Sequence, residues 1–189
     1  MSIDMPVTML RLDQWDRPAD EDDLTMLSRC LGPTLDVGCG PGRLTAALSD
    51  LGGVVLGIDV ARSAVGLTRR RGAAALRRDV FDAVPGEGRW GTALLADGNV
   101  GIGGDPVALL TRLREVLAPG GRVVAEVAGS GTPRTDDWAT LDCGDEQTVI
   151  RWSVVGIDAI DRIAEQTGLA VVELLRCGAR WCAVLEAPA

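Results

Sequence analysis

Three glycines in five positions, Gly38, Gly40 and Gly42, follow a short apolar run over 34–37 that carries Asp36. Glycine lets the backbone take positive φ and lets a ligand approach closely, and a helix opening at such a turn offers unpaired amide donors. That helix is expected, because Leu44, Ala47, Leu48 and Leu51 fall on one face. A nucleotide-type cofactor suits this turn. The dinucleotide pattern Gly-x-Gly-x-x-Gly wants its third glycine where this chain has Arg43, a bulky residue at a point of close helix–strand packing, so a nicotinamide dinucleotide fits less well. Further along, Asp59, Asp79 and Asp97 each close an apolar run. A carboxylate in such a place can accept two parallel hydrogen bonds.

What is missing narrows the chemistry further. All 19 basic residues are arginine, and lysine, histidine and tyrosine are absent. Schiff-base lysines, Ser/His or Cys/His pairs and most bases near neutral pH are thereby removed. Carboxylates, cysteine, backbone dipoles and positioning remain. Five scattered cysteines (Cys30, Cys39, Cys143, Cys177 and Cys182), with no Cys-x-x-Cys pair and no histidine, predict reduced structural thiols and no metal site.

With these residues in view, the chain resembles the class I S-adenosylmethionine-dependent methyltransferases over roughly 34–127. Asp-Val-Gly-Cys-Gly-Pro-Gly at 36–42 is similar to that family's first motif. The resemblance implies that Asp36, Gly38, Cys39, Gly40 and Gly42 border the methionine part of S-adenosylmethionine. It implies that Asp59, followed by Val60, takes both ribose hydroxyls. Asp79 and Val80 match the adenine position, the carboxylate accepting from the exocyclic amine and the neighbouring amide touching the ring. Asp97 matches the position nearest the methyl donor, and 113–122 looks like the family's junction from helix to fifth strand.

The reaction so implied is direct in-line methyl transfer, with catalysis mostly by positioning and exclusion of water. If a base is required, Asp97 is the first candidate. Asn99, with a carbonyl and an amide, can orient the acceptor or simply belong to a turn leading to Asp105. The loop over 97–104 lacks the Asn/Asp-Pro-Pro-aromatic run of the families that methylate nucleic-acid amines. Two alternatives stay open: a non-catalytic cofactor-binding protein on the same scaffold, and an NAD-dependent oxidoreductase.

The formal net charge of -8 argues against nucleic acid as a partner, since phosphate neutralisation needs a basic face. A small-molecule acceptor is expected, recognised by Trp15, Trp138, Arg151 or Trp152, in a monomer or homodimer. Arg69, Arg70 and Arg71 suit the negative end of a helix dipole. No apolar run approaches the ~20 residues of a membrane span, and the N-terminus has no basic region ahead of an apolar stretch. A cytoplasmic protein without a membrane partner follows as the expectation.

These residues need a scaffold. Strands are expected over 34–37, 54–58, 73–78, 91–96, 122–127, 170–175 and 181–185. Helices are expected near 20–30, 43–51, 61–71, 105–118 and 157–167. The alternation predicts a single α/β domain over 1–189, a Rossmann-like doubly wound, mostly parallel seven-stranded sheet with an antiparallel closing strand and helices on both faces. Residues 1–31 read as a helical lead-in. Residues 129–156, polar and without sustained period over 129–152, read as a substrate-side loop region.

Overall fold

The computed structural model describes residues 8–144 and 147–187; residues 1–7 of the expected lead-in and Asp145 and Glu146 of the expected loop lie outside them. Ten strands and five α-helices follow in chain order: β1 (Thr8–Arg11), α1 (Glu21–Leu27), β2 (Thr34–Val37), α2 (Arg43–Asp50), β3 (Val55–Asp59), α3 (Arg62–Arg70), β4 (Ala75–Arg77), β5 (Trp90–Leu95), α4 (Pro106–Val116), β6 (Leu117–Val127), β7 (Thr135–Asp142), β8 (Gln147–Val154), α5 (Ile157–Thr167), β9 (Ala170–Cys177) and β10 (Arg180–Glu186). Seven strands form one sheet in the order β4-β3-β2-β5-β6-β10-β9. It is parallel from β4 to β6 and antiparallel at β10 and β9. This is the expected Rossmann-like α/β architecture.

The sheet is buried on both faces, which is why its central strands read as continuous apolar runs. Ala93 and Leu95 of β5 pack among Leu109, Leu113 and Ile160 of α4 and α5. Leu94, between them, packs on the opposite side with Met26, Leu44 and Leu48 of α1 and α2. Helix ends follow ordinary capping chemistry. The Asp105 side chain accepts from Val107 N and Ala108 N ahead of Pro106. Asp20 and Asp23 form a reciprocal capping box on α1. At the end of α3, Arg69 donates to Ala75 O and Arg71 pairs with Asp16.

Two expectations are corrected. The lead-in is not purely helical: β1 and a 3-10 turn over Leu12–Trp15 precede α1. The region 129–156 is not a loop, because β7 and β8 form an antiparallel hairpin in full register, and β1 joins β7 in parallel. This second, three-stranded sheet escaped the reading because little of it is buried. Within β7 only Ala139 is fully enclosed, so polar residues hide the strand period.

Chain order fixes where a ligand can enter. β2 continues to β3 on one side, while β5 adds on its other side. Helical connections therefore diverge outside the carboxyl end of β2, the topological switch point at which open α/β sheets bind ligands.

Candidate active site

At that switch point a cavity of about 440 Å³ opens, bordered by the glycine turn after β2, the tips of β3, β4 and β5, and the second sheet. Asp36, Val37, Gly38, Cys39 and Gly40 line it, with Asp59, Val60, Asp79, Val80, Asp97 and Asn99. Four β-tips and the turns that follow them thus bring Asp36 and Asn99, 63 positions apart, to one space.

Each residue has a distinct local setting. The amides of Gly38 and Cys39 both donate to Ile58 O, at 2.9 and 3.0 Å, tying the turn to β3. Asp59 is buried, its Oδ2 accepting Gly40 N at 2.9 Å and its Oδ1 accepting Ala61 N at 2.8 Å. Burial raises its pKa above the ordinary value, although these backbone hydrogen bonds work the other way. Asp36 is enclosed in the central strand, where Thr45 Oγ1 donates to its Oδ2 at 2.6 Å. Burial pushes its pKa up to about 7, the Thr45 bond opposing and the Asp97 charge adding to the rise. Asp79 is exposed and its Oδ1 accepts Phe81 N at 3.0 Å.

Gly42 does not line the cavity. Its φ is +84°, and a Cβ there would lie 2.6 to 2.7 Å from Thr68. It serves the close packing of α2 against α3. Cys39 borders the cavity, yet its side chain fills the space above Gly57, where an added Cβ would meet its Sγ at 2.8 Å. Burial raises the thiol's pKa well above the ordinary value, which disfavours the reactive thiolate.

Arg43, counted in the sequence only as too bulky for the dinucleotide pattern, is 3% exposed and lines the cavity. It opens α2, where a cation faces an unfavourable helix dipole, and carboxylates answer it. Its Nη2 donates to both Asp97 oxygens at 3.0 Å and to Asp23 Oδ1 at 3.2 Å. Its Nε stands 3.0 Å from Asp23 Oδ2, without the alignment of a hydrogen bond. Asn99 is similarly engaged: its Nδ2 donates to Val37 O and Gly38 O, each at 2.9 Å. With both amide hydrogens used, its Oδ1 remains as an acceptor only.

The second sheet supplies the opposite wall. Trp15, Arg151 and Trp152 line the cavity together with Leu10, Leu141 and Ile150; Trp138 does not. Trp138 lies under the Arg151 guanidinium, 5.0 Å from ring centre to Cζ. The sequence reading missed Arg43, Leu10, Leu141 and Ile150. A lone arginine at the start of a helix with no acid in its first turn was the available signal for the first. The others belong to strands whose period is masked. Among the described residues no group of three or more His, Cys, Asp or Glu is placed to hold a metal ion, and no helix is long and apolar enough to cross a membrane.

A glycine turn at the switch point of a Rossmann-like sheet, with an acid at each neighbouring strand tip, defines a nucleotide-type cofactor protein. The comparisons narrow the class. A family model described as a methyltransferase domain matches residues 24–174, and the chain belongs to that family. An uncharacterized protein of Mycobacterium tuberculosis is 36% identical over 107 residues, 57% of this chain and 36% of the relative. The chain thus spans about a third of the length of the curated relatives it matches. Among solved structures, a SAM-dependent methyltransferase from Bacteroides fragilis in complex with S-adenosyl-L-homocysteine superimposes with a TM-score of 0.73 at 20% identity, covering 94% of this chain and 81% of that one. The CcbJ methyltransferase from Streptomyces caelestis gives 0.70 at 17% identity, covering 94% and 95%. The 1,6-didemethyltoxoflavin-N1-methyltransferase from Burkholderia thailandensis gives 0.66 at 17% identity, covering 94% and 82%. These three likenesses establish a shared fold.

Proposed function

We propose that the chain transfers the methyl group of S-adenosylmethionine directly to a small-molecule acceptor. The observation that carries this reading is the Asp59 carboxylate at the tip of β3, held by Gly40 N and Ala61 N beside the glycine turn. Each of its oxygens keeps a lone pair for a ribose hydroxyl. The cavity suits the group in its other parts as well: Asp79 and Val80 offer an edge for adenine, and Gly40, with no other heavy atom closer than 3.9 Å to a Cβ built there, leaves room beside the backbone. When bound, the cofactor would supply an electrophilic methyl group on sulfonium sulfur.

The protein's own part is to bind, orient and keep water out. Asp97 is assigned here as a fixed anion rather than the base, since both of its oxygens are paired with the Arg43 guanidinium. Asp36 is enclosed with Thr45 Oγ1 donating to it, and the remaining lone pairs of Asp59 are assigned to the ribose, so neither is taken as the base. The acceptor must then present its own lone pair, as an unprotonated amine, a heteroaromatic nitrogen or an already ionised acid. Asn99 Oδ1 is suited to receive an N–H of the acceptor. Trp15, Leu141, Ile150 and Trp152 favour an acceptor with an apolar face.

Calorimetric titration with S-adenosylhomocysteine and, separately, NADH tests the cofactor. The reading predicts binding of the first and none of the second. Incubating the chain and methyl-labelled cofactor with a metabolite extract, followed by mass spectrometry, tests transfer: a labelled small molecule is expected, and none from any extract would count against catalysis.

A further inference from the structure

Asp97 is gripped at two points by one closed ring of charges. Its carboxylate receives Arg43 Nη2, and Arg43 reaches Asp23 Oδ1 at 3.2 Å. Asp23 Oδ1 also receives Arg180 Nη2 at 2.8 Å. Arg180 Nη1 donates to Glu126 Oε2 at 3.1 Å, and that same oxygen accepts the backbone N–H of Asp97 at 3.1 Å. The circuit joins α1, α2, β6, β10 and the tip of β5. Asp23 has no exposed surface, and burial of this many charges is tolerated only when each is met by a partner.

A second, independent observation concerns the backbone. Asp97 has a φ of +52° and is, among the described residues, the one non-glycine residue in the positive-φ region. A residue held in that region carries strain and persists only where its surroundings overdetermine it. The ring is such a surrounding. A staple between α1 and the sheet would need only Asp23, Arg180 and Glu126. This ring instead closes through both the side chain and the amide of a strained residue in the cavity wall.

We propose that Glu126 and Arg180, neither of which lines the cavity, are positioning residues that hold Asp97 left-handed, Glu126 through the Asp97 amide and Arg180 through Asp23 and Arg43, its carboxylate fixed beside the glycine turn for cofactor binding. The role rests on the cofactor reading above. Burial raises the pKa of Glu126, with Asp97 adding to the rise and Arg180 opposing it. The Arg180 contact therefore helps keep Glu126 charged enough to act as the clamp.

The test is calorimetric titration of S-adenosylhomocysteine into the full chain, below the melting temperature of every variant compared. Glu126→Gln keeps a carbonyl for the Asp97 amide but loses its charge on Arg180. Arg180→Lys keeps a charge but cannot span Glu126 and Asp23 together. Each is expected to weaken binding by roughly threefold to tenfold while melting stays cooperative. Added to Asp97→Asn, either should cost less than about a further twofold, because the pinned carboxylate is already gone. Unchanged affinity with a lowered melting temperature would mark the ring as a staple and overturn the proposal. Equal losses in both backgrounds would overturn it too. Should Glu126→Gln fail to fold, Arg180→Lys gives the same reading. A parent chain that binds no S-adenosylhomocysteine would remove the cofactor reading itself, whereas a binding parent with indifferent variants removes only the positioning role.

Discussion

The carboxylate of Asp59 bridges two stretches of backbone, its Oδ2 receiving Gly40 N at 2.9 Å and its Oδ1 receiving Ala61 N at 2.8 Å. One side chain thereby sets the glycine turn and the start of α3 relative to each other. Asp59→Asn turns one acceptor into a donor that faces an amide. We expect at least a tenfold loss of S-adenosylhomocysteine affinity, in line with about 1.5–3 kcal/mol for a hydrogen bond to a charged group. Titration calorimetry on variant and parent checks this.

The glycines of the turn differ in what they exclude. Gly42→Ala would drive a Cβ to within 2.6 Å of Thr68 at a φ of +84°. Thermal melting should show a loss of roughly 2–4 kcal/mol from overpacking plus backbone strain. Gly40→Ala meets nothing nearer than 3.9 Å at a φ of +55°. It should cost only about 1–2 kcal/mol of stability and weaken cofactor binding instead.

Asp36 predicts a pH dependence. Burial raises its folded pKa to about 7, above the ordinary value of 3.8 in the unfolded chain. Between those values the folded state holds the proton more tightly, so this group's contribution to stability falls as pH rises through the window. Asp36→Asn removes the titration and keeps an acceptor for Thr45. Its melting temperature relative to the parent should therefore climb from pH 5 to pH 8; a constant difference would contradict the assignment.

Asn99 supplies a sharper contrast. Both Nδ2 hydrogens are donated, to Val37 O and Gly38 O. Asn99→Asp would set a carboxylate oxygen against those carbonyls and should destabilise the fold by about 1–3 kcal/mol. Asn99→Ala should cost less. Equal melting curves for Asn99→Asp and the parent would return Asn99 to a purely acceptor-facing role.

The large sheet and the glycine turn were legible because parallel strands buried on both faces leave continuous apolar runs, and because glycine spacing reports backbone conformation directly. Helix α5 was read at its observed limits of 157 and 167, since its apolar face is regular and Gly168 stops it. The hairpin of β7 and β8 was not legible, since Trp138, Val149 and Arg151 lie exposed where a buried face would have shown a period. The ring around Arg43 was not legible for another reason. Asp23, Arg43, Asp97, Glu126 and Arg180 are scattered over five elements, and no spacing along one chain encodes their meeting. That meeting is what changes the part assigned to Asp97 from proton acceptor to anchored anion.

The most direct test of the central claim is a crystal structure of the chain with S-adenosylhomocysteine. The account predicts ribose hydroxyls within hydrogen-bonding distance of the Asp59 carboxylate, adenine beside Asp79 and Val80, and the sulfur end toward Asp97 and Asn99. S-adenosylhomocysteine bound elsewhere, or a cavity that remains closed to it at saturating concentration, would contradict it.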